Sequence, residues 1–241
     1  MDDSIVQETP FVKQLAANDR PTRDKALSSL QTYLSGRRIL TPLDLLKLHK
    51  GLFYSLWMSD RPIPQQNLAN ALSSLVPILP SDTLIPFLRA FWQTMQREWE
   101  RIDVLRMEKF LLVTRRYVGA TFEVLKKGGW EEERVRGVLG VFGEIPLSVD
   151  DVRVPMGMRF HVIDLWVDEM EKVGVLEENE ECRRIQDVLM APLLKLREES
   201  PTKTVRMKAR EALNDERIPG NGRREPEVEE PTSGEWAGFA D

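Results

Sequence analysis

The chain offers few side chains from which a reactive centre could be built. Its 241 residues hold two histidines, His49 and His161, and one cysteine, Cys182. Histidine is the readiest general base and metal ligand near neutral pH. Neither histidine stands in a His-x-x-x-His, His-Glu-x-x-His or Cys-x-x-Cys spacing that a metal ion or a hydrolytic water would require. Both lie in apolar stretches of helical period, where a hydrogen-bonded structural imidazole is expected over a functional one. Cys182 follows Glu177, Glu178, Glu180 and Glu181, and that negative setting opposes the thiolate a nucleophile needs. Ser200-Pro201-Thr202-Lys203 has the letters Ser-x-x-Lys, but the companion motifs of that enzyme class are absent and Ser200 reads as a helix cap. No Gly-x-Ser-x-Gly elbow and no phosphate-cradling Walker loop occurs. Gly137, Gly140 and Gly143 are spaced by three with no strand before them, so they are not a dinucleotide fingerprint. On a helix they would lie along one side, for close packing or as a binding surface. These residues predict no catalytic group, no cofactor and no metal. A hydrolase would need distant acids gathered in a deep cleft.

Charge is more informative than reactivity. Residues 168–181 hold seven acids against one lysine, which reads as a solvated acidic face or a docking strip for a basic partner. Residues 89–127 lean the other way, with nine basic residues against five acids. At 100° per residue, Lys109 and Arg116 share one edge of a helix over 102–118, while Arg106 falls beside Phe110 and Tyr117, half-buried and paired with Asp103. Phosphate binding by the exposed remainder is the functional alternative.

Helices must position these residues. Apolar residues recur at spacings of three and four, and no segment alternates as a half-buried strand would. Thr9-Pro10, Thr41-Pro42 and Ser200-Pro201 each offer a hydroxyl cap with proline at the first helical position, and Ser81-Asp82 reads similarly. Gly36, Gly128-Gly129 and Gly174 suit the left-handed residue after a helix. These marks predict ten or eleven helices, over 10–17, 21–35, 42–58, 64–76, 82–99, 102–118, 119–127, 131–143, 157–173, 179–197 and 201–214. They fall into pairs of about 40 residues, as in an α-solenoid. Periodicity alone leaves a compact irregular bundle open. The aromatic stripes Phe53, Tyr54, Trp57 and Phe87, Phe91, Trp92, Met95, Trp99 are expected to be core. The connection 144–156, with Asp150-Asp151, is long enough to be functional or mobile. From 218 onward Gly, Pro and Glu dominate and apolar residues stand singly. That composition cannot offset its ordering entropy by burial, so a tail over 218–241 is expected, with Trp236 and Phe239 as an alternative docking motif.

Composition bounds the class. Hydrophobic residues make up 41% and charged residues 30% of the chain, as in ordinary globular domains, and the net charge is −5. An acidic balance argues against a surface that grips nucleic acid all over, so any such contact should be local. A single cysteine forms no intrachain disulfide and fits a reducing compartment. The acidic start lacks the order of a signal peptide, and the longest apolar stretch, 51–58, is far short of the ~20 residues that cross a bilayer.

Four segments together resemble one family. The first is Phe11-Val-Lys-Gln-Leu-Ala-Ala-Asn18, with Arg23 and the helix ending Tyr33-Leu34. The second and most specific is Lys50-Gly-Leu-Phe-Tyr-Ser-Leu-Trp-Met-Ser-Asp-Arg-Pro62, followed by Gln65-Gln66 and Leu68-Ala69. The third is Phe91-Trp92-Gln-Thr with Arg97-Glu-Trp99, Ile102-Asp103, Arg106, Lys109-Phe110 and Arg115-Arg116. The fourth is Pro155-x-Gly157-Met-Arg-Phe-His161-Val-Ile-Asp164 with Glu169. Over residues 9–175 the chain resembles the nucleolar ribosomal-RNA-processing protein 1 family, in a short, fungal-type form. The resemblance implies an all-α, HEAT-like solenoid that is no enzyme. It implies a nuclear, nucleolar factor on precursors of the large ribosomal subunit, needed for processing of their RNA through contacts with other assembly factors. It implies neither a membrane nor a small-molecule substrate.

The expected organisation is one helical domain over 1–217 and a tail over 218–241. Trp57-Met58-Ser59-Asp60-Arg61-Pro62 starts on a buried helix and ends in a turn. Asp60-Arg61 is there either an ion pair setting the angle to the next helix or part of a rigid recognition corner shared with Gln65 and Gln66. The expected partner-binding residues are Trp57, Asp60, Arg61, Gln65, Gln66, Asp168, Glu169, Glu177 and Glu178. The alternative, a direct RNA-binding module, would use Lys109, Arg115, Arg116, Lys126 and Lys127.

Overall fold

The computed structural model describes Gln14, Ala17, residues 19–36 and residues 40–221. Among them are α1 (Arg20–Ser35), α2 (Pro42–Trp57), α3 (Pro62–Ser73), α4 (Ser81–Glu98), α5 (Val104–Lys127), α6 (Glu132–Glu144), α7 (Met156–Lys172), α8 (Glu180–Glu199) and α9 (Lys203–Leu213), with single 3₁₀ turns at Val76–Ile78 and Trp99–Arg101. No strand occurs among the described residues. Most of the predicted helix over 10–17 and the Thr9-Pro10 cap lie outside them, as does the tail from 222 with Trp236 and Phe239. At the expected tail boundary, Ile218 packs against the core and Asn221 Nδ2 donates to the carbonyls of Leu213 and Asp215.

Local chemistry accounts for several boundaries. Thr41 caps α2 in a full capping box: Asp44 N–H donates to the Thr41 hydroxyl oxygen, and the Asp44 carboxylate accepts from Thr41 N–H. Asp103 caps α5 through Arg106 N–H, and Asn179 caps α8 through Cys182 N–H. Two expected caps are corrected. Pro80 precedes α4, so Ser81 sits inside the helix rather than capping it. Ser200 is buried and α9 starts two residues past Pro201; Arg206 Nη1 spans that entry by donating to the Ser200 and Pro201 carbonyls at 2.7 and 3.1 Å. Gly129 and Gly174 take φ of +64° and +75° as predicted, whereas Gly36 leaves α1 in an extended conformation.

The largest correction concerns α5. It runs unbroken over 24 residues where two helices were expected to meet at Gly119. Gly119 is present for space, because a Cβ there would lie 2.5 Å from Glu169 Oε2. The expected pair 119–143 is therefore no separate hairpin, because its first helix is the end of α5. Instead α2, α4, α6 and α8 pack in sequence as one layer, α3, α5, α7 and α9 as the other, and α2–α3, α2–α5, α5–α6 and α8–α9 contacts join the layers. From α2 onward each helix meets the next but one, the arrangement of a two-layer α-solenoid.

The core runs between the layers. Phe87, Phe91, Trp92, Met95 and Trp99 are all buried, and Phe91 stacks on Tyr117 with ring centroids 3.7 Å apart. Trp166 lies edge-on to Phe122 and Phe142, and its indole N–H donates to the Leu189 carbonyl at 2.9 Å, tying α7 to α8. The 144–156 connection is fastened. Ile145, Leu147 and Val154 are buried, and Asp151 accepts from Arg153 Nε and Nη2 and from Gln96 Nε2. The Arg153 hydrogen bonds hold the Asp151 carboxyl down at about 2.

Candidate functional site

The segment 57–66 forms a braced corner between α2 and α3. Lys109, reaching across from α5, donates from Nζ to the carbonyls of Trp57 and Ser59, both at 2.7 Å. Gln65 Nε2 donates to the same Ser59 carbonyl at 2.8 Å. Trp57 is the last residue of α2, where a helix end leaves carbonyls without intrahelical donors, and Ser59 follows in the turn. The Arg106 guanidinium pairs with Asp103, the partner the helical wheel implied, and also stands 5.0 Å over the Trp57 ring. Trp57 packs in turn beside Phe53 and Phe110.

Lys109 is thereby removed from the set of RNA-contact candidates. Its side chain is buried and both strong hydrogen bonds are internal, so it presents no charge to a phosphate. The wheel placed it on an edge of α5; it could not show that the α2–α3 turn covers that edge. Burial lowers the Lys109 pKa, opposed by the charge of Asp60. Trp57 and Gln65 are half-buried supports, while Asp60, Arg61 and Gln66 face solvent. Around them stand apolar residues that sequence reasoning missed: Met58, Ile63, Val104 and Leu105 are 65%, 72%, 88% and 93% exposed. They cap adjoining helix ends, because α3 and α5 are neighbours in one layer and both begin at this corner. A soluble surface seldom gathers large apolar side chains at one place without a partner.

The predicted acidic strip and basic cluster partly neutralise one another. Arg115 donates from Nη2 to Asp168 at 2.7 Å and from Nε to Glu169 at 2.9 Å, and Lys172 Nζ reaches Glu169 at 2.6 Å. Arg217 adds bonds to Asp168, Glu171 and Asp215. Burial favours neutral Asp168, but hydrogen bonds from Arg217 and Arg115 outweigh it and hold the carboxyl below its ordinary range. Glu169 is buried behind Gly119, so it is a structural anchor of the α5–α7 contact and offers no docking surface. The exposed remainder is Arg116, Lys126 and Lys127 on α5, with Glu177 and Glu178 at the turn into α8. Glu177 and Lys126 flank Gly174: a Cβ there would lie 3.7 Å from Glu177 Oε1 and 3.8 Å from Lys126 Nζ. Acid and base therefore share that end of the solenoid.

No catalytic geometry emerges among the other candidates. His161 Nε2 is 2.9 Å from the Leu111 carbonyl. His49 is fully enclosed by Phe87, Phe91 and Tyr117, and its Nε2 has no hydrogen-bond partner among the described residues. Burial pushes its pKa down to about 3, so it is neutral at physiological pH. Cys182 Sγ rests 3.6 Å from the Gly174 carbonyl. Among the described residues, no group of three or more His, Cys, Asp or Glu is placed to hold a metal ion, and no helix is long and apolar enough to cross a membrane.

The glycine run divides in two. Gly137 packs against Ile85, where a Cβ would stand 3.1 Å from Ile85 Cδ1, so close packing explains it. Gly140 and Gly143 face no neighbouring helix; a Cβ at Gly143 would meet nothing within 4 Å. They open into a groove of about 1060 Å³ between α6 and α8.

The family model described as nucleolar protein, Nop52, matches residues 6–237. The chain belongs to the Nop52 family of nucleolar proteins. Ribosomal RNA processing protein 1 homolog B of Homo sapiens is 39% identical over 173 residues, 69% of this chain and 23% of that protein. Homolog A of Mus musculus is 36% identical over 176 residues, 70% of this chain and 35% of the mouse protein. The Caenorhabditis elegans homolog is 32% identical over 177 residues, covering 72% of this chain and 44% of its own length. The Nop52-family chain thus matches less than half the length of these relatives. The resemblance read from the four segments agrees with the family assignment.

Proposed function

We propose that this Nop52-family chain is a non-catalytic, nucleolar scaffold on precursors of the large ribosomal subunit. It would serve ribosomal-RNA processing by holding other assembly factors in place. The names of its relatives support the processing role. The observation that carries the protein-contact reading is the corner at 57–66: a rigid frame of internal hydrogen bonds that displays Met58, Ile63, Val104 and Leu105 to solvent beside Asp60, Arg61 and Gln66. An exposed apolar patch rimmed by polar residues marks an interaction site, and arginine is among the residues enriched as interface anchors. The helical unit over 1–217, with the segment beyond it as an appendage, is the body we assign to this task.

Affinity purification of the tagged chain from cells tests the proposal. The unaltered chain should recover large-subunit precursor RNA with assembly factors. Met58→Glu and Leu105→Glu, both at exposed positions, should lower that recovery about tenfold or more without changing the thermal midpoint, a loss of ~1.4 kcal/mol or more of binding. Recovery without precursor RNA or nucleolar factors would overturn the reading. Direct RNA binding has the narrower support of Arg116, Lys126 and Lys127, exposed on one helix. Under that reading, isolated protein binds ribosomal RNA at ~50 mM salt, loses it steeply as salt rises, and loses it with Lys126→Glu/Lys127→Glu.

A further inference from the structure

The exposed apolar surface of the 57–66 corner continues past α5. Among the described residues nine large apolar side chains are exposed. Six of them, Met58, Ile63, Val104, Leu105, Val152 and Met156, stand on one edge of the solenoid, and the other three are dispersed over α2, α8 and α9. Helix register fixes that placement. His161 Nε2 meets the Leu111 carbonyl, and Gly119 faces Glu169, so α5 and α7 run parallel with the same offset of 50 residues at both contacts. The offset brings Val104 and Leu105 level with Val154 and Pro155, between Val152 and Met156. Gly157 lies beside Trp99, where a Cβ would stand 3.3 Å from the indole Nε1, and Gln96 Nε2 donates to Asp151 at 3.1 Å. The end of α4 thus meets the start of α7. Exposed apolar residues therefore stand at the starts of α3, α5 and α7, three successive helices of one layer.

Charge narrows the class of partner. Segments 58–63, 97–106 and 150–156 hold five arginines against six acids. Arg106 pairs with Asp103, Arg97 and Arg101 with Glu98, and Arg153 with Asp151, all on the edge itself. No cationic surplus is left for a phosphate backbone, so the edge suits protein over RNA. An apolar row between neutralised pairs is complementary to a partner face of low net charge.

Spacing narrows it further. Neighbouring helices of a layer lie about 8–10 Å apart. A helix laid across them advances about 10.5 Å per seven residues, so apolar side chains at that repeat reach the starts of α3, α5 and α7 in turn. An extended chain repeats each face every ~6.7 Å and falls out of step with the rows.

We infer that this edge seats an amphipathic helix of another protein, about fifteen residues or longer, with an uncharged apolar stripe repeating every seven residues. The inference rests on the protein-contact reading of the corner and extends that contact to Val152 and Met156.

The tagged chain in cells provides the test. Val152→Glu and Met156→Glu should each lower recovery of the bound assembly factor about tenfold, as Met58→Glu and Leu105→Glu do. Both positions are exposed, and an acid at the start of α7 suits the helix dipole, so the thermal midpoint should not fall. If Met58→Glu and Leu105→Glu lower recovery and Val152→Glu and Met156→Glu do not, the corner reading stands and this inference is overturned. A benzophenone amino acid in place of Ile63, Leu105 or Val152 should link to one segment of the same protein, at positions about seven residues apart in that order or its reverse. Links to RNA, to a second copy of this chain, to a different protein from each position, or to positions only about three residues apart, as in an extended segment, would each overturn it.

Discussion

Lys109 decides between two views of the basic segment, and its replacement gives the most direct reading. Lys109→Met keeps the length of the side chain and removes the ammonium. The loss is two internal hydrogen bonds of 2.7 Å, to the Trp57 and Ser59 carbonyls. Hydrogen bonds from a charged donor contribute about 1.5–3 kcal/mol each. Methionine escapes the desolvation that burial imposes on the ammonium, which offsets part of the loss. The net expectation is ~3 kcal/mol of destabilisation. For a domain of this size that lowers the thermal midpoint by roughly 6–12 °C. Urea unfolding at pH 7, followed by circular dichroism, should show a lower midpoint with an unchanged slope. Lys126→Met, at an exposed position on the same helix, is the control and should stay within about 0.5 kcal/mol of the unaltered chain. A Lys109→Met variant equal in stability to that control would refute the internal role and return Lys109 to the surface.

The glycines give opposite expectations. Gly119→Ala should destabilise by ~1–3 kcal/mol despite alanine's better helix propensity, because its Cβ meets Glu169, and Gly119→Ala/Glu169→Ala should show strong coupling in a double-mutant cycle. Gly143→Ala meets nothing and should stabilise by about 0.5–1 kcal/mol in the same unfolding assay. His49 predicts acid sensitivity: its folded pKa of about 3 lies below the unfolded 6.5, so the unfolded chain binds the extra proton and stability falls as pH drops below 6.5. From pH 7.5 to pH 5 that contribution is roughly 2 kcal/mol, and His49→Leu should remove it from a stability-versus-pH profile; an unchanged slope would show that His49 titrates normally. Asp151, held at about 2 by Arg153, loses its stabilising ionised form only as pH falls toward that value, so Asp151→Asn should matter at neutral pH and little at pH 2.

The helical class, most boundaries and the buried face of α4 were legible in the sequence because they follow from local rules. Period 3.6 places Phe87, Phe91, Met95 and their neighbours on one face whatever that face meets. The Thr41-Pro42 start and the positive φ at Gly129 and Gly174 likewise depend on their own side chains. Family membership was legible too, because runs such as 50–62 are long and unusual in composition.

The arrangement of charge and space required the fold. Lys109 and Arg116 share a wheel edge, yet one caps the α2–α3 turn and the other meets solvent, because only tertiary packing says what covers each arc of a helix. Arg115 and Glu169 belong to segments of opposite charge that look like two surfaces and are one internal contact. Gly119 and Gly143 carry the same local meaning and differ in what stands opposite, a carboxylate in one case and an open groove in the other. Local sequence specifies the backbone's own hydrogen bonds and the apolar face of each helix. Which faces meet, and so which charges are neutralised and which glycines leave room, is settled when the layers stack.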